Sequence, residues 1–585
     1  MKKKWISLLL CFCMITLLSS AFSEGVIAGE QAGHQIEEKT LPIYVMREET
    51  DLEGVFYFLD GEEGIAWVDL ESWLPIYQKL LGAGDSALTI TGEADKEAYT
   101  LTRENGAAME VDFEKDTISF NDYNLFTSQT AAAALVDRLS IKTVDEEGKP
   151  YLFLREPEKS FDRPGDITVY DLASYGIHLV HQDGKYLVPL NTIVDLALMI
   201  KDGICVLYNG QAVFFIRGDT PLGTQDELSP LGEIYYSAES RDRTEAEIEY
   251  GYAELCLMMD NFYGLKEIHQ ISSFDELFHS TGLDESLKSP DAGIADIALE
   301  AVIELFLDDL HSSFKMHSWM VPEDSEHELL RTSRTGAKMS AAITPLAYTR
   351  LEYYPDGAPG YEEVGNTAFI TFNSFLASVA QSLDMYELTE EEIEQYSAAD
   401  TIALIIYANR QITREDSPIE NVVLDLSMNP GGSIDAAIFV LAWFLGDGDI
   451  AFQDKNSGAL SAIAYKADVN LDREFDEKDV LTGKNLYCLI SPYGFSCGNL
   501  VPAVLKDSQR VTLIGRQTSG GTSTVQYAAS PWGTYFQMSS PIVMSVLKNG
   551  SLYDIDKGVA PDYYLSKNSS FYDRTKLVDI INNMD

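Results

Sequence analysis

The chain has 585 residues, of which 45% are hydrophobic, so it is long enough for two to four domains with substantial cores. It carries 93 acidic residues against 42 lysines and arginines, a formal net charge of −51 at neutral pH. So large an acidic excess repels nucleic acids and anionic membrane surfaces, which excludes both as partners.

The N-terminus has the pattern of a secretory signal peptide. Lysines occupy residues 2–4, an apolar run covers residues 5–18, and small residues follow up to Ser23. The apolar run is shorter than the roughly 20 residues that a transmembrane helix needs. Cys11 and Cys13 lie inside this run, which disfavours a lipoprotein. We therefore predict cleavage near Ser23 and a secreted or cell-envelope protein with no membrane insertion after cleavage.

The cysteines and histidines argue against a metal centre. The cysteines beyond the signal peptide are Cys205, Cys256, Cys488 and Cys497. Their spacing matches neither a disulfide-rich small domain nor a paired zinc motif, so we expect at most one disulfide. The eight histidines include no HExxH arrangement, which disfavours a metallopeptidase. The sequence therefore predicts neither a metal nor a cofactor.

The order of the patterns predicts five segments. Residues 1–23 are the signal peptide, 24–40 an acidic linker, 41–240 one or more small α/β modules, 241–325 a helical segment and 326–585 an α/β core. The N-terminal modules are interpreted as accessory or binding modules without chemistry of their own.

Two passages of the N-terminal region look alike. In the first, a strand candidate at 55–59 precedes a helix candidate at 66–81. In the second, a strand candidate at 184–188 precedes a helix candidate that reaches Leu198. The phrase from Lys185 to Ile193 resembles the copper amine oxidase-like N-terminal domain. In that family name the copper belongs to another domain, so the resemblance implies no metal here.

The rest of the chain changes from helical to mixed patterning. Helical spacing continues from Thr244 to about His317, and a loop-rich stretch with prolines and glycines follows from Val321 to Gly365. Strand candidates then alternate with helix candidates; they cover Ala368–Phe372, Val422–Leu426, Leu486–Ile490 and Val511–Ile514. Alternation of this kind predicts an α/β fold with parallel strand pairing.

The strand at 422–426 ends in a glycine-rich turn. Asn429 and Pro430 precede Gly431 and Gly432, and a helix candidate follows directly. Backbone N–H groups at the start of a helix bind a developing negative charge well. A tight strand-to-helix turn without any function explains the same residues, so this motif needs a partner.

The partner is a serine at a second strand-to-helix turn. The strand at 486–490 is followed by Ser496, and a helix-like stretch begins at Leu500. A serine in such a turn exposes its hydroxyl and is suited to be a nucleophile, although serine at this position is also a common helix cap. The two turns together predict an oxyanion hole beside a nucleophile.

Ordered phrases along the chain resemble the C-terminal processing (tail-specific) peptidases and, more closely, their tricorn-type branch of serine peptidases. The phrases are Leu307–Phe314, Gly365–Phe372, Asp425-x-x-x-Asn429-Pro-Gly-Gly432, Phe495-Ser496-Cys-Gly-Asn499, Ile514-Gly-Arg-Gln-Thr518-Ser-Gly-Gly521 and Gly558-Val-Ala-Pro-Asp562. The resemblance spans about Thr244 to Leu565. It implies a ClpP/crotonase-like core of strand–strand–helix units with a helical lead-in.

The resemblance assigns roles to the residues of both turns. It places the nucleophile at Ser496. It places the oxyanion donors on the backbone of Cys497 and of Gly431 or Gly432.

The general base differs between the two branches of the family. The processing branch uses a lysine in a phrase like Thr-Phe-Gly-Lys-Gly, but here the matching phrase ends in Gly521, which accepts no proton. The tricorn-type branch uses an upstream histidine, which matches His311. An imidazole with an ordinary pKa of about 6.5 exchanges protons readily near neutral pH. A histidine at a helix end is also a common capping or packing residue.

A carboxylate should orient this histidine, and the resemblance implies one shortly before Gly558. Asp556 is the first candidate, and Asp554 and Asp309 are the others. Each of the three is also explained as a solvated turn residue.

The segment 468–479 spaces oxygen ligands at the first, third, fifth and twelfth positions of a calcium loop. The sixth position, which should be glycine, is Arg473. We therefore interpret the segment as a polar hairpin, with calcium binding as the alternative hypothesis.

Together these patterns predict a secreted serine endopeptidase that cleaves polypeptides through a Ser496 acyl-enzyme, with His311 as base. About fifty residues separate Phe314 from Gly365, too few for an inserted PDZ domain that is stable by itself. Two alternatives remain: a catalytically silent relative that binds peptide or cell-wall polymer, and an esterase with the same serine. Association with the cell envelope is left open.

Overall fold

The computed structural model describes residues 34–584 except 46–47, 82–89, 96, 128–141, 145–149, 153–158, 200–202, 225–226 and 323–332. The predicted signal peptide, with Cys11 and Cys13, therefore lies outside the described residues. Ile36–Asp585 form one compact unit. Among the helices of the described ranges, none combines the length and apolarity that a bilayer crossing requires.

Short strands fill the N-terminal region. They are β1 (Ile36–Val45), β2 (Glu48–Leu59), β3 (Trp67–Asp69), β4 (Ile90–Ala94), β5 (Ala98–Arg103), β6 (Ala108–Asp112), β7 (Thr117–Phe120), β8 (Lys142–Val144), β9 (Pro150–Leu152), β10 (Lys159–Arg163), β11 (Thr168–Asp171), β12 (Val180–Gln182), β13 (Lys185–Pro189), β14 (Cys205–Tyr208) and β15 (Val213–Ile216). One sheet has the order β12-β13-β3-β2-β1-β15-β14 and another β11-β7-β6-β5-β4.

The remaining strands belong to the second half of the chain. They are β16 (Ser313–Met316), β17 (Tyr361–Val364), β18 (Thr367–Thr371), β19 (Asn421–Asp425), β20 (Gly448–Asp454), β21 (Leu460–Tyr465), β22 (Asn485–Ile490), β23 (Val511–Gly515), β24 (Ser523–Ala529), β25 (Tyr535–Ser545), β26 (Leu547–Lys548), β27 (Ser551–Leu552) and β28 (Tyr563–Tyr564). They form a sheet of order β17-β18-β19-β22-β23-β28 and a second sheet around β25.

Helices connect and cover these sheets. They are α1 (Leu70–Leu81), α2 (Tyr123–Phe126), α3 (Leu190–Val194), α4 (Pro230–Tyr235), α5 (Glu245–Phe262), α6 (Phe274–Thr281), α7 (Asp284–Leu287), α8 (Ala292–Ala301), α9 (Arg334–Tyr353), α10 (Ser378–Ser382), α11 (Glu390–Tyr396), α12 (Thr401–Thr413), α13 (Ile434–Leu445), α14 (Cys497–Asp507), α15 (Ser569–Tyr572) and α16 (Arg574–Asn582). π-helical turns extend α3 over Asp195–Met199 and α8 over Val302–Leu307.

The two similar N-terminal passages lie side by side in one sheet. Strands β3 and β13 pair antiparallel, with Val68 opposite Val188, and each is followed directly by its helix, α1 or α3. The first helix begins at Leu70, later than the sequence predicted, because Trp67–Asp69 pair with β13 as a strand. The predicted strand-then-helix order of both passages is confirmed.

The predicted helical segment is present, but the prediction for the residues after it was partly wrong. Helices α5 to α8 fall within the segment, and a capping box between Thr244 and Glu247 starts α5. Part of the stretch predicted as loop is the helix α9, which is capped by Ser333 and contains Pro345. Among the described residues of α9, Leu346 alone is buried. A mostly exposed helix has no apolar stripe, so its sequence lacks the periodicity that predicts helices.

The predicted parallel core is confirmed. Strands β18, β19, β22, β23 and β28 pair in parallel, and the register aligns Thr371, Asp425 and Leu489 across three of them. Parallel neighbours end at the same edge of a sheet. The glycine-rich turn after β19 and the serine turn after β22 therefore lie next to each other.

The second sheet of this half has the order β10-β21-β20-β25-β16. Strand β10 comes from the N-terminal region and pairs antiparallel with β21, with Phe161 opposite Ala462. The mixed α/β architecture is thus as predicted. The ClpP/crotonase-like arrangement, the missing PDZ domain and the five segment boundaries stay predictions.

Candidate active site

Ser496 occupies a strained turn between β22 and α14. Its backbone has φ 52° and ψ −126°, a left-handed φ that is uncommon for residues other than glycine. The Ser496 N–H donates to the carbonyl of Gly520 at 3.0 Å, which helps to hold this conformation. Ser496 is at the cap position of α14 but makes no side-chain capping bond. Its hydroxyl is therefore not used as a helix cap, and the helix begins at Cys497, earlier than predicted.

The glycine-rich turn packs directly against this serine. Gly431 has φ 124°, and a Cβ added there would lie 2.9 Å from the Ser496 Cβ and 3.1 Å from the Cys497 nitrogen. Any larger residue would need to displace the serine turn. The structure thus brings together the two turns that the sequence singled out.

The three predicted oxyanion donors have different surroundings. The Cys497 N–H is in the first turn of α14, where backbone donors have no partner within the helix. The Gly431 N–H instead donates to Oδ1 of Asn429 at 2.8 Å. The Gly432 N–H and the Ser496 hydroxyl both face the Cys497 thiol, whose pKa burial raises to about 12. The assignment of these amides as oxyanion donors stays a prediction.

His311 lies against the serine turn. It belongs to the short connection between the π-helical turn 302–307 and β16, and its side chain is buried. The centroid of its ring is 4.5 Å from that of Phe495, the residue directly before Ser496. The helical segment therefore delivers an imidazole to the turn that carries the serine.

The three candidate carboxylates have different positions. Asp556 Oδ1 accepts hydrogen bonds from the Gly521 N–H at 3.2 Å and from the N–H and hydroxyl of Thr522, both at 3.1 Å. Asp554 accepts the N–H of Asp556 at 2.9 Å and supports its turn. Asp309 lies two residues before the histidine and accepts its N–H.

Burial controls the charge of the imidazole. It lowers the pKa of His311 below the ordinary value, because the charged form loses hydration, while the carboxylates of Asp309 and Asp556 oppose this effect. His311 is thus held neutral near neutral pH, the state that a general base needs.

The histidine and two of the candidate carboxylates line a cavity of about 210 Å³, and Ser496 lies behind Phe495 outside its lining. Its wall includes His311, Phe495, Gly521, Asp556, Asp309 and Ser523. It also includes His269, which the sequence interpretation missed. That histidine follows α5 in a segment without a motif, and its ring meets Tyr263 edge-on at 6.0 Å. Nothing in its local sequence distinguishes it from a surface histidine.

The sequence allowed at most one disulfide. Cys205, Cys256, Cys488 and Cys497 are all buried and free, so they form no disulfide.

The 468–479 segment is a loop held by its own backbone. Asp468 accepts the N–H of Arg473 at 2.7 Å, and Arg473 has a left-handed φ of 66° without being glycine. The ammonium of Lys478 pairs with Asp472 at 3.1 Å and with Asp476 at 3.2 Å. The segment is polar, as predicted, but it is a loop between β21 and β22 of different sheets and not a hairpin. Calcium binding stays the alternative hypothesis.

Comparison with known families finds a match for the second half of the chain. Residues 389–565 match the model of peptidase family S41. This range includes the glycine-rich turn, Ser496 and Asp556, but not His311.

Known proteins match over shorter stretches. The chain is 33% identical over 102 residues to a carboxy-terminal-processing protease of Bartonella bacilliformis, covering 17% of this chain and 21% of that protein. It is 34% identical over 99 residues to a protein of Chlamydia pneumoniae, covering 17% and 16%. The chain thus spans about a fifth of each of these relatives. Among solved structures, the photosystem II D1 C-terminal processing protease matches with a TM-score of 0.24 and 20% identity, over 36% of this chain and 45% of that one.

The family match does not include the phrase at 185–193, which resembled a copper amine oxidase-like domain. The family match begins at residue 389. The resemblance of the N-terminal region therefore has no support beyond the residues that suggested it.

Proposed function

We propose that the protein is a serine endopeptidase acting on polypeptides, on the premise that residues 389–565 match the model of peptidase family S41, as the resemblance to C-terminal processing peptidases predicted. Its site follows the tricorn-type pattern, with a histidine in place of the lysine. The proposal includes secretion or cell-envelope location, which rests on the signal-peptide pattern of residues 1–23.

In the proposed reaction, His311 removes the proton of the Ser496 hydroxyl as its oxygen attacks the carbonyl of the scissile peptide bond. The Cys497 N–H, with Gly431 or Gly432, binds the oxyanion. His311 then gives its proton to the leaving amine, which departs from an acyl-enzyme. Water, deprotonated by His311, hydrolyses the acyl-enzyme and restores the serine.

Asp556 has the role of stabilising the imidazolium that forms in each step. The three hydrogen bonds that fix this carboxylate all fall on Oδ1, and its charge raises the pKa of His311. A carboxylate held in this way needs no reorganisation when the positive charge appears.

One observation carries the proposal: the contact of the His311 ring with Phe495, beside Ser496. A lysine base at position 521 would not fit the same site. The φ of Gly521 is 85°, and an added Cβ would lie 2.3 Å from the Phe495 ring. The ring that supports the histidine thus occupies the space that a side chain at position 521 would need.

A fluorophosphonate probe tests the nucleophile and its base. We expect the probe to label the wild type at Ser496, and Ser496→Ala to abolish labelling. His311→Ala should slow labelling and lower kcat on peptides by about 10⁴-fold or more. Ser508→Ala, at the other end of α14, is the matched control and should label like the wild type. Equal labelling of wild type and His311→Ala would rule out the proposed base.

The two alternatives give different results in the same assays. A catalytically silent relative would bind peptide or wall polymer but would resist the probe. An esterase would turn over an ester but not the amide of the same acyl group. N-terminal sequencing of the protein recovered from the medium tests secretion, since cleavage near Ser23 gives a defined new terminus.

A further inference from the structure

We propose that Asp309 is a positioning residue, which fixes the peptide of His311 so that the imidazole faces the serine turn. This inference rests on the proposed function and adds a residue to it. The sequence offered Asp309 only as a candidate partner of the imidazole ring, whereas the role inferred here acts on the backbone of the His311 turn; Asp309 lies outside the range of the family match.

The carboxylate of Asp309 receives five hydrogen bonds. Oδ1 accepts the N–H of His311 at 2.9 Å, the N–H of Ser312 at 3.0 Å and the hydroxyl of Ser539 at 2.9 Å. Oδ2 accepts the hydroxyls of Ser312 at 2.6 Å and of Tyr263 at 2.9 Å. The donors come from the histidine turn itself, from the end of α5 and from β25. Asp309 thus ties the histidine turn to two separate elements.

The backbone carbonyl of His311 is also held by β25. The amide of Gln537 donates to the carbonyl of His311 at 2.6 Å. Gln537 and Ser539 are two residues apart on β25, so their side chains lie on the same face of the strand. Strand β16 continues this attachment, with Ser313 opposite Gln537. The backbone of His311 is therefore fixed at its N–H by Asp309 and at its carbonyl by Gln537.

The histidine turn depends on such external bonds. It begins at Asp308, a non-glycine residue with φ 45°, directly after the π-helical turn. His311 and Ser312 are both buried, so without the Asp309 carboxylate the His311 N–H would lose its acceptor away from water, and the Ser312 N–H would keep only the Asp309 backbone carbonyl at 3.4 Å. The turn would then relax towards other conformations, and the imidazole would move with it.

Asp309 and Asp556 act differently on His311. Their charges are the two that raise its pKa, and the Phe495 ring covers the imidazole from the serine turn. The three hydrogen bonds to Asp556 all fall on its Oδ1 and leave its second carboxylate oxygen out. Both carboxylate oxygens of Asp309, in contrast, accept hydrogen bonds. Asp309 is thus suited to hold the turn, and Asp556 to stabilise the imidazolium.

An asparagine at position 309 separates position from charge. The two backbone N–H groups are obligate donors, so Oδ1 of the asparagine must face them as the aspartate oxygen does. The hydroxyls of Ser312 and Tyr263 can rotate to accept from Nδ2 instead. Asp309→Asn therefore keeps the turn and removes the charge, whereas Asp309→Ala removes both.

We expect the two variants to differ in kcat. Asp309→Asn should keep kcat at pH 8 within about threefold of the wild type, and the acid limb of its pH profile should move to lower pH. Asp309→Ala should lose about 10²-fold or more in kcat with little change in KM, because a misplaced base slows the chemical step. Crystal structures of both variants would give the position of the His311 imidazole without an activity assay. We expect the imidazole to be displaced in the alanine variant alone.

Asp291→Ala is the matched control. Asp291 Oδ1 accepts the N–H groups two and three residues ahead, from Gly293 at 2.8 Å and Ile294 at 3.3 Å, as Asp309 does in its own turn. It caps α8 and makes no contact with the cavity residues named above. This variant should melt at lower temperature with an unchanged kcat.

Several results would overturn the inference. An Asp309→Ala variant with the kcat and imidazole position of the wild type would exclude a positioning role. An Asp309→Asn variant as slow as the alanine variant, with its imidazole in place, would show that the charge matters and the position does not. A wild type that hydrolyses no peptide would instead refute the proposed function, while the variant structures would still decide whether Asp309 holds the histidine.

Discussion

At the scale of single residues, the charge of one buried imidazole should set the pH range of the proposed peptidase activity. Burial lowers the pKa of His311, and a base must be neutral to accept a proton. We expect kcat/KM to rise with pH through a midpoint below the ordinary histidine value of about 6.5 and to level off near neutral pH. A pH profile with an uncharged peptide substrate measures this midpoint.

The Asp556→Asn variant checks the physical cause. Its charge raises the pKa of His311, so its removal should move the midpoint to still lower pH and also lower the plateau of kcat. A wild-type midpoint above 6.5, or one that does not respond to this substitution, would show that another group titrates.

Gly521 is needed for space as well as for its backbone conformation. Gly521 and Gly106 have nearly the same φ, 85° and 86°, but a Cβ at Gly521 would meet the Phe495 ring, whereas nothing lies within 4 Å of a Cβ at Gly106. Alanine at either position should cost roughly 1–2 kcal/mol of stability for the left-handed backbone. Gly521→Ala should in addition lower kcat, because the displaced ring supports both His311 and Ser496. Equal kcat values for the two variants would refute this role of Phe495.

The residue scale also shows what the sequence could predict. Ser496, Gly431 and His311 belong to local phrases, so a short pattern sufficed to single them out. Gln537, Ser539 and Tyr263 act on the histidine turn from distant parts of the chain, through single hydrogen bonds. Such contacts leave no signal in the local sequence. A glutamine, serine or tyrosine with no functional contact would have the same sequence pattern around it.

At the scale of elements, the C-terminal helix α16 is fastened to the strand that leads into the glycine-rich turn. Arg574 pairs with Asp425 at 2.7 Å and with Glu362 at 2.7 Å, and the side chains of Arg574 and Asp425 are 5% and 1% exposed. An ion pair this deeply buried fixes the position of α16 against β19, because burying either charge without its partner costs several kcal/mol.

Removal of the arginine should therefore destabilise the core strongly. Arg574→Met leaves the Asp425 carboxylate buried without a counter-charge, which should cost about 3–5 kcal/mol in the free energy of unfolding. Urea denaturation measures this loss, and adding Asp425→Asn to the same chain should recover part of it. Lys506→Met removes the half-exposed ion pair with Asp562 and should cost at most about 1 kcal/mol. Equal losses would show that the buried pair is not special.

Elements with a strong local pattern were predicted well. The strands β18, β19, β22 and β23 are continuous apolar runs because both faces of the sheet are buried. Helix α9 was missed because its surface is largely exposed and its sequence contains glycine and proline. The position of β10 in the second sheet was also unforeseen, since strand pairing between distant segments depends on the whole fold.

At the scale of the whole molecule, two buried carboxyl groups join the N-terminal region to the helical segment. Glu254 of α5 and Asp195 after α3 are each 1% exposed, and the charge of Glu254 acts on Asp195; Thr192 donates to Glu254. Burial raises the pKa of Glu254 to about 7 and raises that of Asp195 as well. Tyr250 and Cys205 are the other titratable groups beside the pair.

This pair should make stability depend on pH. Because the folded-state pKa values are raised, the unfolded chain releases these protons first. The contribution of this pair to stability is therefore fully present below the ordinary carboxyl pKa of about 4 and falls as pH rises towards 7. Glu254→Gln should reduce the fall in melting temperature between pH 5 and pH 8. Glu249→Gln, on the exposed face of the same helix, should keep the wild-type dependence. Identical pH curves for the wild type and Glu254→Gln would contradict this explanation.

The pairing of β10 with β21 makes the two halves of the chain interdependent. A chain shortened to begin at residue 241 would keep the S41 domain, Ser496 and His311 but would lose β10. The edge of β21, Leu460–Tyr465, would then present open backbone donors and acceptors to other molecules. Such a fragment should aggregate when it is expressed alone, so we expect a soluble fragment with the proposed activity to need the strand at 159–163.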